Sequence, residues 1–178
     1  MSRTNPYKRK RRSASKFVLI YGEGLDEEVF LKHLKSLYSK NKNIAITIRK
    51  GKGGSAFDLV INAYKSYGAF SRKVVVLDND RGVAEMRKAK TEAKKRRVEL
   101  YEHIPCLESV LLSILVDGKN FRNKSSKWCK QEFESKHLNR KKRNEFKEYI
   151  KLMPKKLLDK QSVKIPELIK LISLMKGG

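Results

Sequence analysis

The sequence predicts an α/β fold, with a mainly parallel sheet of about four strands flanked by helices. Two apolar runs indicate buried parallel strands: residues 17–21 (Phe-Val-Leu-Ile-Tyr) and residues 74–77 (Val-Val-Val-Leu). Each run ends at acidic residues and a glycine, and helical patterns separate the two runs. Ligands of open α/β sheets bind at the carboxyl ends of the strands, so we expect the functional site there.

The remaining elements follow from periodicity and turn residues. After a first strand at 16–21, a helix is predicted at 25–38, because Val29, Phe30, Leu34 and Leu37 recur at helical spacing. Alternating isoleucines predict a strand at 44–48. The order continues with a helix at 56–67, a central strand at 73–77, a basic helix at 83–97, a strand at 98–101 and an apolar helix at 107–116.

The character of the chain changes after residue 116. We expect a basic flexible arm at 1–15, an α/β domain at 16–116 and a basic helical extension at 117–178 packed on it. The extension should contain a helical or helix-turn-helix region at 128–152 and a last helix at 165–175. Its aromatic residues either pack in the core or stack on unpaired bases, and they are Trp128, Phe133, Phe146 and Tyr149.

The composition points to a polyanionic partner. The chain has 178 residues and a formal net charge of +24. Such a charge favours DNA or RNA over an anionic membrane, although a merely soluble basic protein would share it. The candidate nucleic-acid contacts are Lys52, Arg81, Arg87, Lys94, Lys95, Arg96, Arg140, Lys141, Lys142 and Arg143.

Other classes of protein are disfavoured. The two cysteines form neither a disulfide framework nor a zinc pattern, and Cys106 is expected to be a buried small apolar residue. No apolar run approaches the length of a membrane span, and no signal core follows the basic N-terminus. We therefore expect a cytoplasmic protein without a membrane partner, and the sequence leaves homo-oligomers open.

Three carboxylates are predicted to meet at one sheet edge. Glu23 follows the first strand, and Asp78 and Asp80 follow the central strand. The side chains of Asp78 and Asp80 should leave on the same side, because strand residues alternate by two. Carboxylate oxygens suit a hard divalent cation, so the triad predicts a Mg²⁺ or Mn²⁺ site. Alternatively, Asp80 only caps the following helix.

The glycine-rich turn at 51–55 (Gly-Lys-Gly-Gly-Ser) has two interpretations. Its backbone amides, the start of the next helix and Lys52 could bind phosphate. Ser55 could instead be a plain helix cap. His103 is a lone histidine, which is more typical of a turn or packing position than of a catalyst.

At these residues the chain resembles Toprim domains and, within them, the RloB family of bacterial restriction and phage-defence loci. The resemblance covers roughly residues 16–115. Four blocks carry it: residues 21–30 (Tyr-Gly-Glu-Gly-Leu-Asp-Glu-Glu-Val-Phe), residues 51–55, residues 77–80 (Leu-Asp-Asn-Asp) and residues 105–109 (Pro-Cys-Leu-Glu-Ser). The chain departs from the usual pattern at Leu25-Asp26 and at Asn79, but no expected carboxylate is lost.

The resemblance implies a site and an activity. It adds Glu27 and Glu108 to Glu23, Asp78 and Asp80 as candidate catalytic residues, although Glu27 could also serve only the helix dipole. It implies a metal-dependent nuclease of a phage-defence system, with other defence proteins as further partners. One alternative is a non-catalytic nucleic-acid-binding subunit that recruits or regulates an effector. Another is a small Toprim ribonuclease of RNA maturation, although the block at 105–109 counts against it.

Overall fold

The computed structural model describes residues 14–41, 43–51 and 53–178, except for the side chain of Arg140. Most of the predicted arm at 1–15, and Lys52 of the glycine-rich turn, lie outside these residues. The strands are β1 (Lys16–Gly22), β2 (Ile44–Lys50), β3 (Arg72–Asp78) and β4 (Glu99–His103). The helices are α1 (Leu25–Tyr38), α2 (Ala56–Lys65), α3 (Val83–Arg96), α4 (Leu107–Leu115), α5 (Ser126–Lys136), α6 (Phe146–Leu152), α7 (Lys155–Gln161) and α8 (Pro166–Lys176), with a short 3₁₀ helix at Arg140–Lys142.

The four strands form one parallel sheet in the order β2-β1-β3-β4, which confirms the predicted α/β class. The apolar strands β1 and β3 are central because the sheet buries both of their faces. Alternate residues of β3 therefore enter different cores. Val74 and Val76 pack on one side, and Val75 and Leu77 pack on the other.

The two faces of the sheet carry different layers. Helices α2 and α3 cover one face with a small core that includes Leu59, Val60 and Met86. The other face holds a larger core built from α1 and α4 together with the helices after residue 125. Phe133, Tyr149 and Leu171 belong to that same core, so the C-terminal helices complete a layer of the sheet.

Several element boundaries differ from the sequence prediction by one or two residues, and one helix was not predicted. Helix α2 ends at Lys65, two residues earlier than expected. Strand β4 continues to His103 because its pairing with β3 reaches from Glu99 to His103, opposite Asp78. Helix α7 was not predicted; it begins after Pro154, whose fixed φ suits a helix start.

No helix in the described part of the chain has the combination of length and apolar character that a membrane crossing requires.

The shared core predicts one cooperative unfolding transition. Leu171→Ala in α8 removes a side chain that is 1 % exposed, and we expect it to lower the free energy of unfolding by about 2–5 kcal/mol. Val163→Ala, at a position that is 76 % exposed, should change it by roughly 0.5 kcal/mol or less. Urea unfolding followed by the fluorescence of Trp128 and by far-ultraviolet circular dichroism measures both variants.

The single tryptophan makes this test specific, since Trp128 lies in α5 and reports on the C-terminal helices. The two probes should give coincident curves for the wild type and for both variants. Separate transitions, with only the fluorescence curve shifted by Leu171→Ala, would show that residues 117–178 fold as an independent unit.

Candidate metal and nucleic-acid site

The turns that follow β1, β3 and β4 meet at the carboxyl edge of the sheet. The backbone N–H of Glu23 donates to the carbonyl of Val76 at 3.1 Å, which joins the β1 turn to β3. The N–H of Asn79 donates to the carbonyls of His103 (2.9 Å) and Pro105 (3.0 Å), which joins the β3 turn to the β4 turn. These backbone bonds fix where the acidic side chains emerge.

Asp78 lies at the centre of this edge and is 6 % exposed. Its Oδ1 accepts a hydrogen bond of 2.8 Å from the backbone N–H of Leu107, at the start of α4. His103 Nδ1 lies 3.6 Å from the same oxygen, and Lys130 Nζ lies 3.8 Å from Oδ2. Burial raises the pKa of the Asp78 carboxyl, while His103 opposes that shift.

Asp80 lies two residues beyond the end of β3 and approaches the same cation as Asp78. Its Oδ2 is 3.6 Å from Lys130 Nζ, so one ammonium group contacts both aspartates. The two aspartate side chains therefore approach one ammonium group, as an Asp-x-Asp sequence would favour. The positive charge comes from α5, fifty residues further along the chain, and no local pattern predicted this contact.

Glu23 is held by two donors. Its Oε2 accepts a hydrogen bond of 3.1 Å from the backbone N–H of Asp78, and its Oε1 forms an ion pair with Arg81. Arg81 also donates to the carbonyl of Gly54 at 2.7 Å and lies 3.3 Å from Glu85. The guanidinium thus joins the β1 turn to the glycine-rich turn.

The glycine-rich turn approaches this edge closely. A Cβ on Gly51 would lie 2.7 Å from the Glu23 carbonyl oxygen, so only glycine fits there without a shift. Ser55 caps α2, since its hydroxyl accepts a bond of 3.2 Å from the N–H of Asp58. The capping interpretation of this turn is confirmed. Lys52, proposed for phosphate binding, lies outside the described residues.

Glu27 is buried one helical turn beyond Glu23 and accepts a hydrogen bond of 2.9 Å from the N–H of Gly24. Burial and the nearby Asp78 carboxylate raise its pKa to about 7. Both interpretations of Glu27 therefore apply, because it caps the start of α1 and lies within the electrostatic reach of the site.

Glu108 and Asp26 share one arginine. Arg143 forms an ion pair with Glu108 and lies 2.7 Å from Asp26, and its side chain is 11 % exposed. Burial raises the pKa of Asp26, although Arg143 opposes that shift. Glu108 is 3 % exposed, and its Oε2 has no hydrogen-bond partner. The structure thus places Glu108 near Asp78, as expected.

One group of side chains has the spacing of metal ligands. One ligand atom each from Asp78, Cys106 and Glu108 lies within 4.8 Å of the other two, and all three residues are buried. The predicted ligands Glu23 and Asp80 are not in this group; Glu23 pairs with Arg81, and Asp80 lies near Lys130. Cys106 is buried as expected, but sequence reasoning did not consider it as a ligand, although it stands in the Pro-Cys-Leu-Glu block.

The predicted nucleic-acid contacts fall into two sets. Arg81, Arg96 and Arg143 are engaged in ion pairs, and Arg143 lies within the acidic cluster instead of on an open surface. Arg87, Lys94 and Lys95 are exposed along α3, and Lys141 and Lys142 are exposed just before Arg143. The side chain of Arg140 lies outside the described residues.

The aromatic residues of the C-terminal helices mainly pack in the core. Phe133 and Tyr149 are fully buried, and Trp128 stacks on Phe121 with ring centroids 5.8 Å apart. Phe146 is the most exposed of the four, at 36 %. Their positions favour core packing over base stacking.

The raised pKa of Glu27 predicts that Glu27→Gln stabilises the metal-free protein in a pH-dependent way. Between pH 4.5 and about 7 the unfolded chain loses this proton while the folded protein keeps it, so the carboxyl makes stability fall as pH rises. The amide removes this effect and still accepts from Gly24. Relative to the wild type, the free energy of unfolding of Glu27→Gln should be almost unchanged at pH 4.5 and higher by up to about 3 kcal/mol at pH 8.

Chemical denaturation at several pH values, in buffer that contains a chelator, measures this difference in the free energy of unfolding. Glu148→Gln is the control, because Glu148 is a partly exposed glutamate paired with Lys151 outside the site. A gain for Glu27→Gln that is equal at pH 5 and pH 8 would contradict the assigned pKa.

Comparison of the chain with protein-family models, with curated proteins and with solved structures gave no match. The likeness to Toprim domains and to the RloB family remains a prediction from four short blocks.

Proposed function

We propose that this protein is a Mg²⁺- or Mn²⁺-dependent nuclease that hydrolyses nucleic-acid phosphodiesters. One observation carries the proposal: a chain with 43 basic and 19 acidic residues gathers six carboxylates at one sheet edge. They are Glu23, Asp26, Glu27, Asp78, Asp80 and Glu108. Among the described residues, Glu27, Asp78 and Glu108 make three of the four buried carboxylates.

The donor chemistry fits a divalent cation. Asp78 and Asp80 already approach one positive charge together, at 3.8 and 3.6 Å from Lys130 Nζ. Carboxylate oxygens of this kind are ligands that Mg²⁺ and Mn²⁺ accept. Asp78 and Asp80 would hold the ion, with Glu23 beside them as a third ligand or as a general acid or base. When bound, such an ion supplies a Lewis acid that positions phosphate and favours ionisation of water.

The protein's own groups would prepare the site for phosphate. Glu23 is oriented by the N–H of Asp78 and by Arg81, so its carboxylate has a fixed position at the edge. The side chain of Lys130 is 44 % exposed, so its ammonium could also contact a phosphate oxygen while it stays near the aspartates. Arg81 has donors enough to contact both Glu23 and a further oxygen.

The substrate class follows from charge. Acidic residues alone would repel nucleic acid, but Lys141 and Lys142 immediately precede Arg143, which contacts the cluster directly. These exposed cations would attract phosphates to the rim of the site. The resemblance to the RloB family supports a setting in bacterial phage defence, with other defence proteins as partners.

A second candidate function is a non-catalytic nucleic-acid-binding subunit. It is favoured by the way the chain neutralises its own carboxylates: Arg81 pairs with Glu23, Lys130 lies between the aspartates, and Arg143 pairs with Glu108. A cluster compensated in this way can stabilise the fold without any metal. The two functions differ in whether the carboxylates are needed for phosphodiester cleavage.

Glu23→Gln separates these functions. The amide keeps an acceptor for the Asp78 N–H but removes the charge and the basicity, so single-turnover cleavage should fall by at least ~10²–10⁴-fold. Affinity for nucleic acid should hold or improve, because one negative charge near the phosphate is lost. Cleavage and equilibrium binding are measured on the same preparation, with DNA and with RNA, in Mg²⁺ or Mn²⁺.

Glu148→Gln is a matched control, since both glutamate side chains are 21 % exposed and each pairs with one cation in the structure. It should leave cleavage unchanged. Wild-type protein that binds tightly but cleaves neither DNA nor RNA with either metal would favour the non-catalytic function. Loss of binding together with cleavage in Glu23→Gln would make Glu23 a structural residue.

Lys141 and Lys142, which we call the rim lysines, give a second prediction. Replacing both Lys141 and Lys142 by alanine should weaken binding of all sequences alike and reduce the slope of log K against log salt by up to about two. Replacing Lys94 and Lys95 removes the same charge from the last turn of α3, roughly 15–20 Å along the helix from its start near the site.

Binding isotherms over a range of salt concentrations compare the two double variants. The rim variant should lose more affinity than the α3 variant. Equal losses would indicate a diffuse electrostatic surface, and a flat salt dependence of the wild type would exclude nucleic acid as the partner.

A further inference from the structure

We propose that Asp78, Cys106 and Glu108 form an inner metal subsite that takes a thiophilic transition ion of the Zn²⁺ or Co²⁺ class in preference to Mg²⁺. The inference rests on the proposed function only in treating the acidic edge as a metal site. It adds a sulfur ligand that neither the motif nor the resemblance assigns.

The three donors belong to elements that are already locked together. Asp78 ends β3, Cys106 is the residue before α4, and Glu108 lies in the first turn of α4. The N–H of Leu107, between Cys106 and Glu108, donates to Asp78 Oδ1 at 2.8 Å. This bond holds the strand end and the helix start in register, so the spacing within 4.8 Å does not depend on a mobile loop.

The spacing agrees with the bond lengths of zinc. In a tetrahedral site, zinc–sulfur bonds of about 2.3 Å and zinc–oxygen bonds of about 2.0–2.2 Å place two ligands of one ion roughly 3.3–3.7 Å apart. Ligand atoms within 4.8 Å of one another therefore need only small side-chain movements to share an ion.

Buried polar atoms without partners point to a missing ligand. Glu108 Oε2 is buried and accepts no hydrogen bond. Both ring nitrogens of His103 are also buried without a hydrogen-bond partner, and Nδ1 lies 3.6 Å from Asp78 Oδ1. Buried polar groups are nearly always satisfied, and a bound cation would use the free oxygen of Glu108.

Arg143 and Lys130 contact other carboxylate oxygens and leave Glu108 Oε2 free for an ion. Arg143 contacts Oε1 of Glu108, and Lys130 lies near Oδ2 of Asp78. An ion can therefore bind Glu108 Oε2 without displacing Arg143. Two carboxylates and a thiolate carry three negative charges, which Arg143, Lys130 and a divalent ion offset.

The sulfur decides the type of ion. Mg²⁺ takes oxygen ligands, whereas thiolate ligands select softer ions such as Zn²⁺. The thiol of Cys106 is buried beside two carboxylates. Cys129 provides a contrast within the same environment: it is buried and free beside Cys106, but it is not in the ligand group, and its Sγ lies 3.9 Å from the carbonyl of Phe121.

Cobalt is the probe for this subsite, because Co²⁺ bound to a thiolate gives a charge-transfer absorption band. Metal-free protein titrated with Co²⁺, without nucleic acid, should develop this band with one ion per chain, and excess Mg²⁺ should not abolish it. Cys106→Ser should remove the band and weaken Zn²⁺ binding by at least about tenfold. Cys129→Ser, a matched change at the other buried cysteine, should keep the band.

A measurement on the wild type covers the case in which Cys106→Ser does not fold. X-ray absorption of the Zn²⁺-loaded protein should show one sulfur at about 2.3 Å with oxygen ligands. A zinc shell without sulfur, no cobalt band in the wild type, or a band that persists in Cys106→Ser overturns the inference.

Cleavage assays on the same variants separate this inference from the proposed function. A cobalt band that depends on Cys106, in a protein without cleavage under any metal, supports the subsite and argues against the nuclease. Cleavage with Mg²⁺ by a protein that gives no cobalt band supports the nuclease and overturns the subsite.

Discussion

The burial of the Asp78 carboxylate is the constraint on which the rest of this edge depends. A carboxylate that is 6 % exposed at the end of a central strand destabilises the folded protein unless hydrogen bonds and nearby positive charge compensate its desolvation. The backbone N–H of Leu107 supplies the hydrogen bond, and Lys130 supplies the nearby charge. The start of α4 and the position of α5 are thus tied to one side chain of β3.

This arrangement makes the C-terminal helices part of the site. Lys130 comes from α5 and Arg143 from the segment just before α6, and both enter an acidic cluster built by the β1, β3 and β4 turns. The same helices complete the larger core through Phe133 and Tyr149. Packing and electrostatics therefore act together, because the apolar contacts of these helices bring their cations to the carboxylates.

Sequence reasoning predicted the sheet and the acidic edge for a physical reason. The β3 run is apolar enough to be central, and the residues after a parallel strand must emerge at its carboxyl edge. It did not predict the partners of those acids. The pairing of Arg143 with Glu108 spans 35 residues and depends on how helices pack, which no local pattern records. Cys106 was missed as a donor because a single buried cysteine usually acts as a small apolar residue.

For the nucleic acid that we propose as the ligand, the charge distribution of the protein would have two opposing effects. Exposed lysines on α3 and at Lys141 and Lys142 attract phosphates, while six carboxylates at the sheet edge repel them. Lys130 and Arg81 partly offset that repulsion, but each is already engaged by carboxylates. A phosphate drawn to the rim thus reaches a place where added positive charge lowers its energy most. In the proposed nuclease, a divalent ion between the carboxylates and the phosphate would meet that need, and this favours metal-dependent chemistry over simple binding.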